Sequence, residues 1–264
     1  MSVDARALAS ELAAAEHAGT WVPLLTERVP NLGWAEARAI ARARDELRRE
    51  AGDRRIGFKL GWTSAAMRDA LGIRRPNWGT LWASQLVAGE LDGSRLHHPK
   101  VEPELVAEIG DHGSPDRWCL GLEVVNPRFA TYRFDWLDNT ADNSSCARIA
   151  LGSWTDLADD PATVQVELSD GLGRTSGTGA NVTGGPRAAV RWLAEQLATE
   201  TERLRPGELV FTGGLTAPLD VVLGRRYVAT SPSHPELGEV VLRARGAGPT
   251  NIGTEAPSGV TPPA

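Results

Sequence analysis

The chain has little of what several common architectures need. Its two cysteines, Cys119 and Cys146, lack metal-finger spacing, which excludes a disulfide framework or a cysteine-rich zinc module and fits a reducing compartment. No stretch approaches the ~20 apolar residues of a membrane-spanning helix. The first thirty residues are interrupted by Glu11, Glu16 and His17 and lack the unbroken apolar core of a secretory signal. There is no basic block, and 28 Lys+Arg against 34 Asp+Glu leave a formal net charge of −6, which excludes a broad electrostatic grip on nucleic acid. Together these absences predict a cytoplasmic protein whose partner is a small molecule, with no nucleic acid and no membrane.

What is present is ordinary globular material: 264 residues, 41% hydrophobic and 23% charged, enough for one substantial core without staples. Residues 4–18 and 34–50 are rich in Ala, Leu, Glu and Arg, with apolar positions every three or four residues, so two helices are expected there. Pro23 and Pro30 fall between them and break any continuation. From about residue 55 the pattern changes to short apolar runs separated by Gly, Pro, Asn and Asp: RIGFKLGW, KVEPELVAEI, WCLGLEVV, TVQVELSD, ELVFTGG and EVVLRA, all read as strands. One more helix is predicted at 186–200, with Pro186 in its first turn. The fold class is α+β. Its expected divisions are an N-terminal helical segment at 1–54, a β-rich catalytic body at 55–243, and a Gly/Pro/Thr-rich tail at 244–264 that can bury little and is read as disordered.

Alternation along a strand divides KVEPELVAEI into two faces. Val101, Pro103, Leu105, Ala107 and Ile109 point one way, and Lys100, Glu102, Glu104, Val106 and Glu108 the other. An acidic face meeting water explains this pattern. So does a hard cation, which needs converging oxygen ligands. Glu123 lies inside an otherwise apolar run, and a buried carboxylate is rare unless paired or metal-bound. Gly121, its neighbour on the same face, is read as leaving room beside it. Three carboxylates describe a Mg²⁺ or Mn²⁺ site better than a zinc site. In RIGFKLGW, Lys59 is flanked by Gly57 and Gly61, which suggests a lysine projecting into an open cavity, although an edge-strand lysine has the same pattern. LDNTADNSSCARIALG reads as a polar loop in which Asp142, Asn143, Ser144 and Ser145 supply hydrogen-bonding side chains; a turn or a helix cap explains it equally well. In LVFTGGLTAP, the backbone N–H groups of Gly213 and Gly214 could hold a carboxylate, or form an ordinary turn.

In order, GFKLGWTSAAMRDALGIRRPNWGTL, HPKVEPELVAEI, LEVVNPRF, DNTADNSS, GTGANVTGGPRAAVRWLAEQL and RPGELVFTGGLTAPLDVVLG resemble the 2-oxopent-4-enoate hydratase and 4-oxalocrotonate decarboxylase branch of the fumarylacetoacetate hydrolase superfamily, across roughly residues 20–243. The resemblance implies N-terminal helices followed by a mixed β-sandwich roll. It also implies one Mg²⁺ or Mn²⁺ on Glu102, Glu104 and Glu123, Lys59 and Ser145 as catalytic residues, and Asn77, Asp142, Gly213 and Thr216 around the substrate. The implied partner is a 2-oxo acid, and the implied assembly a homo-oligomer. The implied reaction is hydration of a 2-hydroxydienoic acid, with decarboxylation, acylpyruvate C–C hydrolysis and an inactive binding protein of the same fold as alternatives. The chain departs from the family pattern in carrying Asn77 where an acid is usual and Gly185 where a histidine is usual. Trp62, Trp78 and Trp82 are expected to add bulk near the pocket.

Overall fold

The computed structural model describes residues 3–246. Three helices open the chain: α1 (Ala5–Ala18), α2 (Leu25–Arg28) and α3 (Trp34–Glu50). The Asp4 side chain accepts from the N–H of Ala7 at 3.0 Å and caps α1, and Gly19, at φ +68°, ends it. The apolar stripes read from the sequence are the faces that meet: Ala9, Leu12 and Ala15 pack with Ala37 and Ile40. Phe129 and Ala141 complete this cluster, so the helices are seated against the segment that follows the central strands.

The strands are β1 (Arg55–Gly61), β2 (Asn77–Trp82), β3 (Glu90–Asp92), β4 (Lys100–Ile109), β5 (Pro115–Val125), β6 (Cys146–Leu151), β7 (Gln165–Ser169), β8 (Arg174–Thr178), β9 (Leu209–Phe211), β10 (Leu219–Asp220), β11 (Arg226–Thr230) and β12 (Glu239–Arg245). They form two sheets: β2-β1-β9-β4-β5-β6, with β10 also on β4, and β3-β12-β11-β7-β8. Within the larger sheet only the β1–β9 pairing is parallel. The main core lies between the sheets, where Leu105, Leu120 and Leu122 join Val166, Leu168, Ala229 and Leu242. Each such leucine, fully buried, contributes about 1.5–3 kcal/mol of apolar transfer. This is the expected α+β roll, and the apolar face predicted for β4 is the one that enters the core.

Three segments differ from the sequence reading. The supposed polar loop at 137–152 is instead helix α5 (Trp136–Ala141), a tight turn and strand β6. Asp135 starts the helix by accepting from the N–H of Leu137 at 2.8 Å, and Cys146, Ile149 and Ala150 are buried. A short helix, α4 (Ala65–Leu71), follows β1, with Ser64 as its N-cap. β12 continues through Arg245, taking the first two residues of the expected tail, and residues 247–264 lie outside the described residues. The helix α6 (Pro186–Thr199) matches its prediction to one residue. Among the described residues no helix is long and apolar enough to cross a membrane.

Candidate active site

The antiparallel register of β4 and β5 sets Glu102 directly opposite Glu123 and Glu104 opposite Gly121. Cross-strand partners on one face stand close together, so the acidic face of β4 acquires the one acid of β5. One carboxylate oxygen from each of Glu102, Glu104 and Glu123 falls within 4.8 Å of the other two. Glu104 and Glu123 are fully buried, yet Oε1 of Glu104 and both oxygens of Glu123 have no hydrogen-bond partner. Burial without a donor is costly for a carboxylate, and these atoms converge on one point, as ligands of a cation do. The cluster lies on the face of the larger sheet away from the core. Gly121 does not open space there: a Cβ on it would meet Val106 at 2.5 Å and the Phe211 ring at 2.7 Å, which fill the position.

The electrostatics agree with a missing positive charge. Burial, and then the Glu123 charge, push Glu102 up to about 7 despite the opposing pull of Lys59. Glu104 is pushed well up by burial and by both neighbouring carboxylates. Its Oε2 accepts from the N–H of Gly213 at 2.7 Å. Gly213 sits at φ +115°, where a Cβ would collide with the Thr63 hydroxyl, so only glycine brings that N–H to the carboxylate. The Cys146 thiol is pushed far up by burial and then by Glu123, and the side chains whose ligand atoms converge are the three glutamates. The donor set is therefore all oxygen, and it fits Mg²⁺ or Mn²⁺.

Lys59 reaches the same point from β1. Its Nζ donates to the carbonyl of Ser144 at 2.9 Å and to the Ser144 hydroxyl at 3.0 Å, and stands 3.1 Å from Oε2 of Glu123 without hydrogen-bond geometry to it. Burial works to lower its pKa, but Glu123, Cys146, Glu104 and Glu102 outweigh burial and raise it, so Lys59 is an ammonium at neutral pH. The receiving turn is unusual. Asn143, Ser144 and Ser145 take φ of +54°, +51° and +59°, a left-handed conformation that persists in non-glycine residues only when the surroundings impose it. The surroundings do impose it. Asn143 accepts from the N–H of Thr80 at 2.7 Å and donates to its carbonyl at 2.9 Å. Ser144 donates to Oδ1 of Asn77 at 3.1 Å, and Ser145 accepts from Asn139 at 2.9 Å. Gly61 makes room for this packing, since a Cβ there would collide with the Ser144 hydroxyl and Asn77.

A cavity of about 290 Å³ opens in front of these groups, lined by Lys59, Glu102, Ser144, Ser145, Gly214 and Thr216 on its polar side. Its other wall is Trp62, Met67, Val125, Tyr132, Phe134 and Pro218. The structure thus brings Lys59, Ser145, Thr216 and the three glutamates to one place. Three expected substrate-binding residues lie elsewhere. Asp142 is fully buried behind the turn, where it accepts from Nη1 of Arg44 and from the Arg128 backbone N–H, both at 3.0 Å, and pairs with the Arg128 guanidinium. Asn77 sits one layer back, donating to Asn139 at 2.8 Å and to Thr140 at 3.0 Å and holding Ser144. Gly213 does hold a carboxylate, but it is the protein's own Glu104. Of the three tryptophans only Trp62 lines the cavity: Trp78 packs on Trp34 and Trp192, and Trp82 is buried. Trp62, at φ +59°, leaves the strand alternation and donates to Asn139 at 2.9 Å. Tyr132 and Phe134 were not singled out from the sequence, because they stand in a loop without periodicity.

No protein-family model matches the chain. It is 32% identical over 239 residues to the 2-keto-4-pentenoate hydratase of Burkholderia vietnamiensis (strain G4 / LMG 22486), covering 84% of this chain and 91% of that one. It is 32% identical over 223 residues to the 4-oxalocrotonate decarboxylase of Pseudomonas sp. (strain CF600), covering 77% and 83% respectively. The structure of 4-oxalocrotonate decarboxylase from Pseudomonas putida G7, complexed with magnesium and adipate, superposes with a TM-score of 0.85 at 27% identity, covering 92% of this chain and 97% of that one. The chain belongs to the 2-keto-4-pentenoate hydratase and 4-oxalocrotonate decarboxylase branch of the fumarylacetoacetate hydrolase superfamily.

Proposed function

We propose that the protein is a metal-dependent lyase that hydrates a 2-hydroxydienoic acid of the 2-oxopent-4-enoate type. The observation that carries this reading is the convergence of three acidic oxygens within 4.8 Å beside a buried ammonium, at the base of a largely apolar cavity. Glu102, Glu104 and Glu123 would hold Mg²⁺ or Mn²⁺, which when bound would supply Lewis-acid polarisation of a 2-oxo acid. Lys59, charged and fixed by Ser144, balances negative charge at that end of the substrate and is placed to give up a proton to it. Ser145, oriented by Asn139, offers its hydroxyl to substrate or water. Trp62, Met67, Tyr132 and Phe134 keep bulk water from the diene and surround its carbon chain. Hydration is balanced overall: the enol loses its proton to become the C2 ketone as the far carbon C5 gains one, and water then adds across the remaining C3–C4 double bond, its hydroxyl to C4 and its hydrogen to C3.

The cavity favours a monocarboxylate over a dicarboxylate. Among the described residues the only cation on its wall apart from Lys59 is Lys100, and that ammonium is paired with Asp220 and lies 5.4 Å from the centre of the Tyr132 ring. A second carboxylate at the far end of the substrate would meet Trp62, Met67 or Phe134. This supports hydration over decarboxylation of 4-oxalocrotonate. The test is to incubate the chain with 2-hydroxypenta-2,4-dienoate and with 4-oxalocrotonate, with Mg²⁺ or Mn²⁺ and after chelation, following loss of ultraviolet absorbance and identifying products. Metal-dependent formation of the hydroxy-oxo acid is expected; CO₂ release alone moves the assignment to decarboxylase, and turnover of neither substrate by the metal-bound chain overturns it. A cytoplasmic location belongs to the same proposal and rests on two free, buried cysteines. Self-association belongs to it too and rests on the family resemblance; light scattering would measure it.

A further inference from the structure

A second cavity, of about 390 Å³, lies on the far side of Asp142 between α1, α3 and the start of β6, and shares no residue with the one described above. Its charged lining is dominated by Arg44, Arg48, Arg95, Arg128 and Arg148. Arg44 and Arg128 are buried and form the floor. Three carboxylates pair with three of these guanidiniums, those of Arg44, Arg48 and Arg128. Glu16 accepts from Arg44 at 2.7 Å and from Arg48 at 2.6 Å; Asp142 takes Arg44 and Arg128; Asp53 accepts from Arg48 at 3.2 Å. Arg95 and Arg148 have no carboxylate within ion-pair distance among the described residues. They donate only to the backbone carbonyls of His17, at 3.0 Å, and Ala147, at 2.7 Å. Asp92, which does not line the cavity, feels the charge of both. His17 also lines the space.

The cavity is therefore oversupplied with positive charge. Burial, and then the neighbouring Arg128, lower the Arg44 pKa. Glu16 falls to about 2 although burial opposes it, because Arg128, Arg44 and Arg48 surround it. Guanidinium forks match planar or tetrahedral oxyanions, which they bind through paired N–H donors. We propose that this cavity is a binding site for a small polyanion, either a phosphoryl group or a polycarboxylate, held by the two unpaired guanidiniums of Arg95 and Arg148 over the floor of Arg44 and Arg128. Its volume suits a single small metabolite. The site is separate from the acidic centre, and Asp142 forms the wall between them: it takes guanidiniums on this side and, at 3.4 Å, the Ser145 hydroxyl on the other.

Calorimetric titration in low-salt chloride buffer tests the site, with inorganic phosphate and citrate as separate probes on the chelator-treated chain, and with phosphate again on the magnesium-saturated chain. One saturable site per chain with a submillimolar Kd is expected for at least one probe. Phosphate alone identifies a phosphoryl ligand, citrate alone a polycarboxylate, and both a site that reads charge only. The double variant Arg95→Ala/Arg148→Ala removes exposed or half-buried side chains that no carboxylate holds, and should weaken binding at least tenfold. Arg174→Ala/Arg226→Ala removes the same charge from the smaller sheet and should change it less than twofold, as should Glu123→Gln. The proposal is overturned if neither probe saturates, if the Arg95/Arg148 variant binds as the parent does, or if Glu123→Gln abolishes binding, which would place the anion at the acidic centre.

Discussion

Replacing Glu102 by glutamine should have opposite effects on stability with and without metal. In the metal-free chain burial and the Glu123 charge raise Glu102 from an ordinary 4.5 to about 7. A carboxyl group whose pKa is raised by folding costs nothing while it is protonated in both states, below about pH 4.5. The cost appears as pH rises, because the unfolded chain ionises first, and is complete above about pH 7. At about 1.4 kcal/mol per tenfold change in acidity, the penalty is about 3 kcal/mol. A glutamine side chain cannot ionise, so the metal-free Glu102→Gln chain should match the parent near pH 4.5 and exceed it by roughly 2–3 kcal/mol at pH 8. In a chain of this size that is roughly 5–10 °C in melting temperature. With metal at about a hundred times its Kd the parent gains about 2.7 kcal/mol and the variant, short of one charged ligand, gains much less. Thermal melts of both chains between pH 4.5 and 8, with excess Mg²⁺ and with chelator, measure the four curves. A metal-free gap that stays flat with pH, or equal stabilisation of both chains by Mg²⁺, would refute the reasoning.

The other variants separate chemistry from support. Lys59→Met should lower kcat by about 10²–10⁴-fold while the Mg²⁺ affinity measured by calorimetry stays within about threefold, since the ammonium is not a ligand; parental kinetics would remove Lys59 from the mechanism. Glu123→Gln should abolish metal-dependent turnover and metal binding together while circular dichroism is preserved, and retained activity would reject its role as a ligand. Asp142→Asn should destabilise the fold by about 3–5 kcal/mol, because the buried guanidiniums of Arg44 and Arg128 lose their shared counter-charge; a melting temperature unchanged within about 2 °C would show that this pairing is not the anchor described. Gly61→Ala should cut kcat by displacing Ser144 from Lys59 while leaving the protein folded, and full activity would mean that the Ser144 contact is dispensable.

How much of this was legible in the sequence depends on the range of the forces involved. The faces of β4 and β5 could be read because alternation is local: every second residue of 101–109 enters the core, and Glu123 stands out because its neighbours do not tolerate charge. The helices at 5–18, 34–50 and 186–199 were legible for the same reason at a different period. The turn that holds Lys59 was not. Nothing in Asn143-Ser144-Ser145 asks for three successive left-handed residues; Thr80, Asn77, Asn139 and the Arg44–Asp142–Arg128 cluster impose them from segments distant in sequence. Asp142 misled for the same reason. A short acid in a polar stretch looks like a ligand-binding group, but two arginines claim its oxygens, and neither arginine is near it in helical or strand periodicity. Gly213 shows the intermediate case. The sequence identified a backbone donor suited to a carboxylate, and the register of β4 against the strand ending at Phe211 decided that the carboxylate is Glu104. Residue chemistry thus identified the kinds of contact in the site, while long-range register and ion pairing decided which residues make them. The acidic triad was readable because its chemistry and its register reside on the same two adjacent strands.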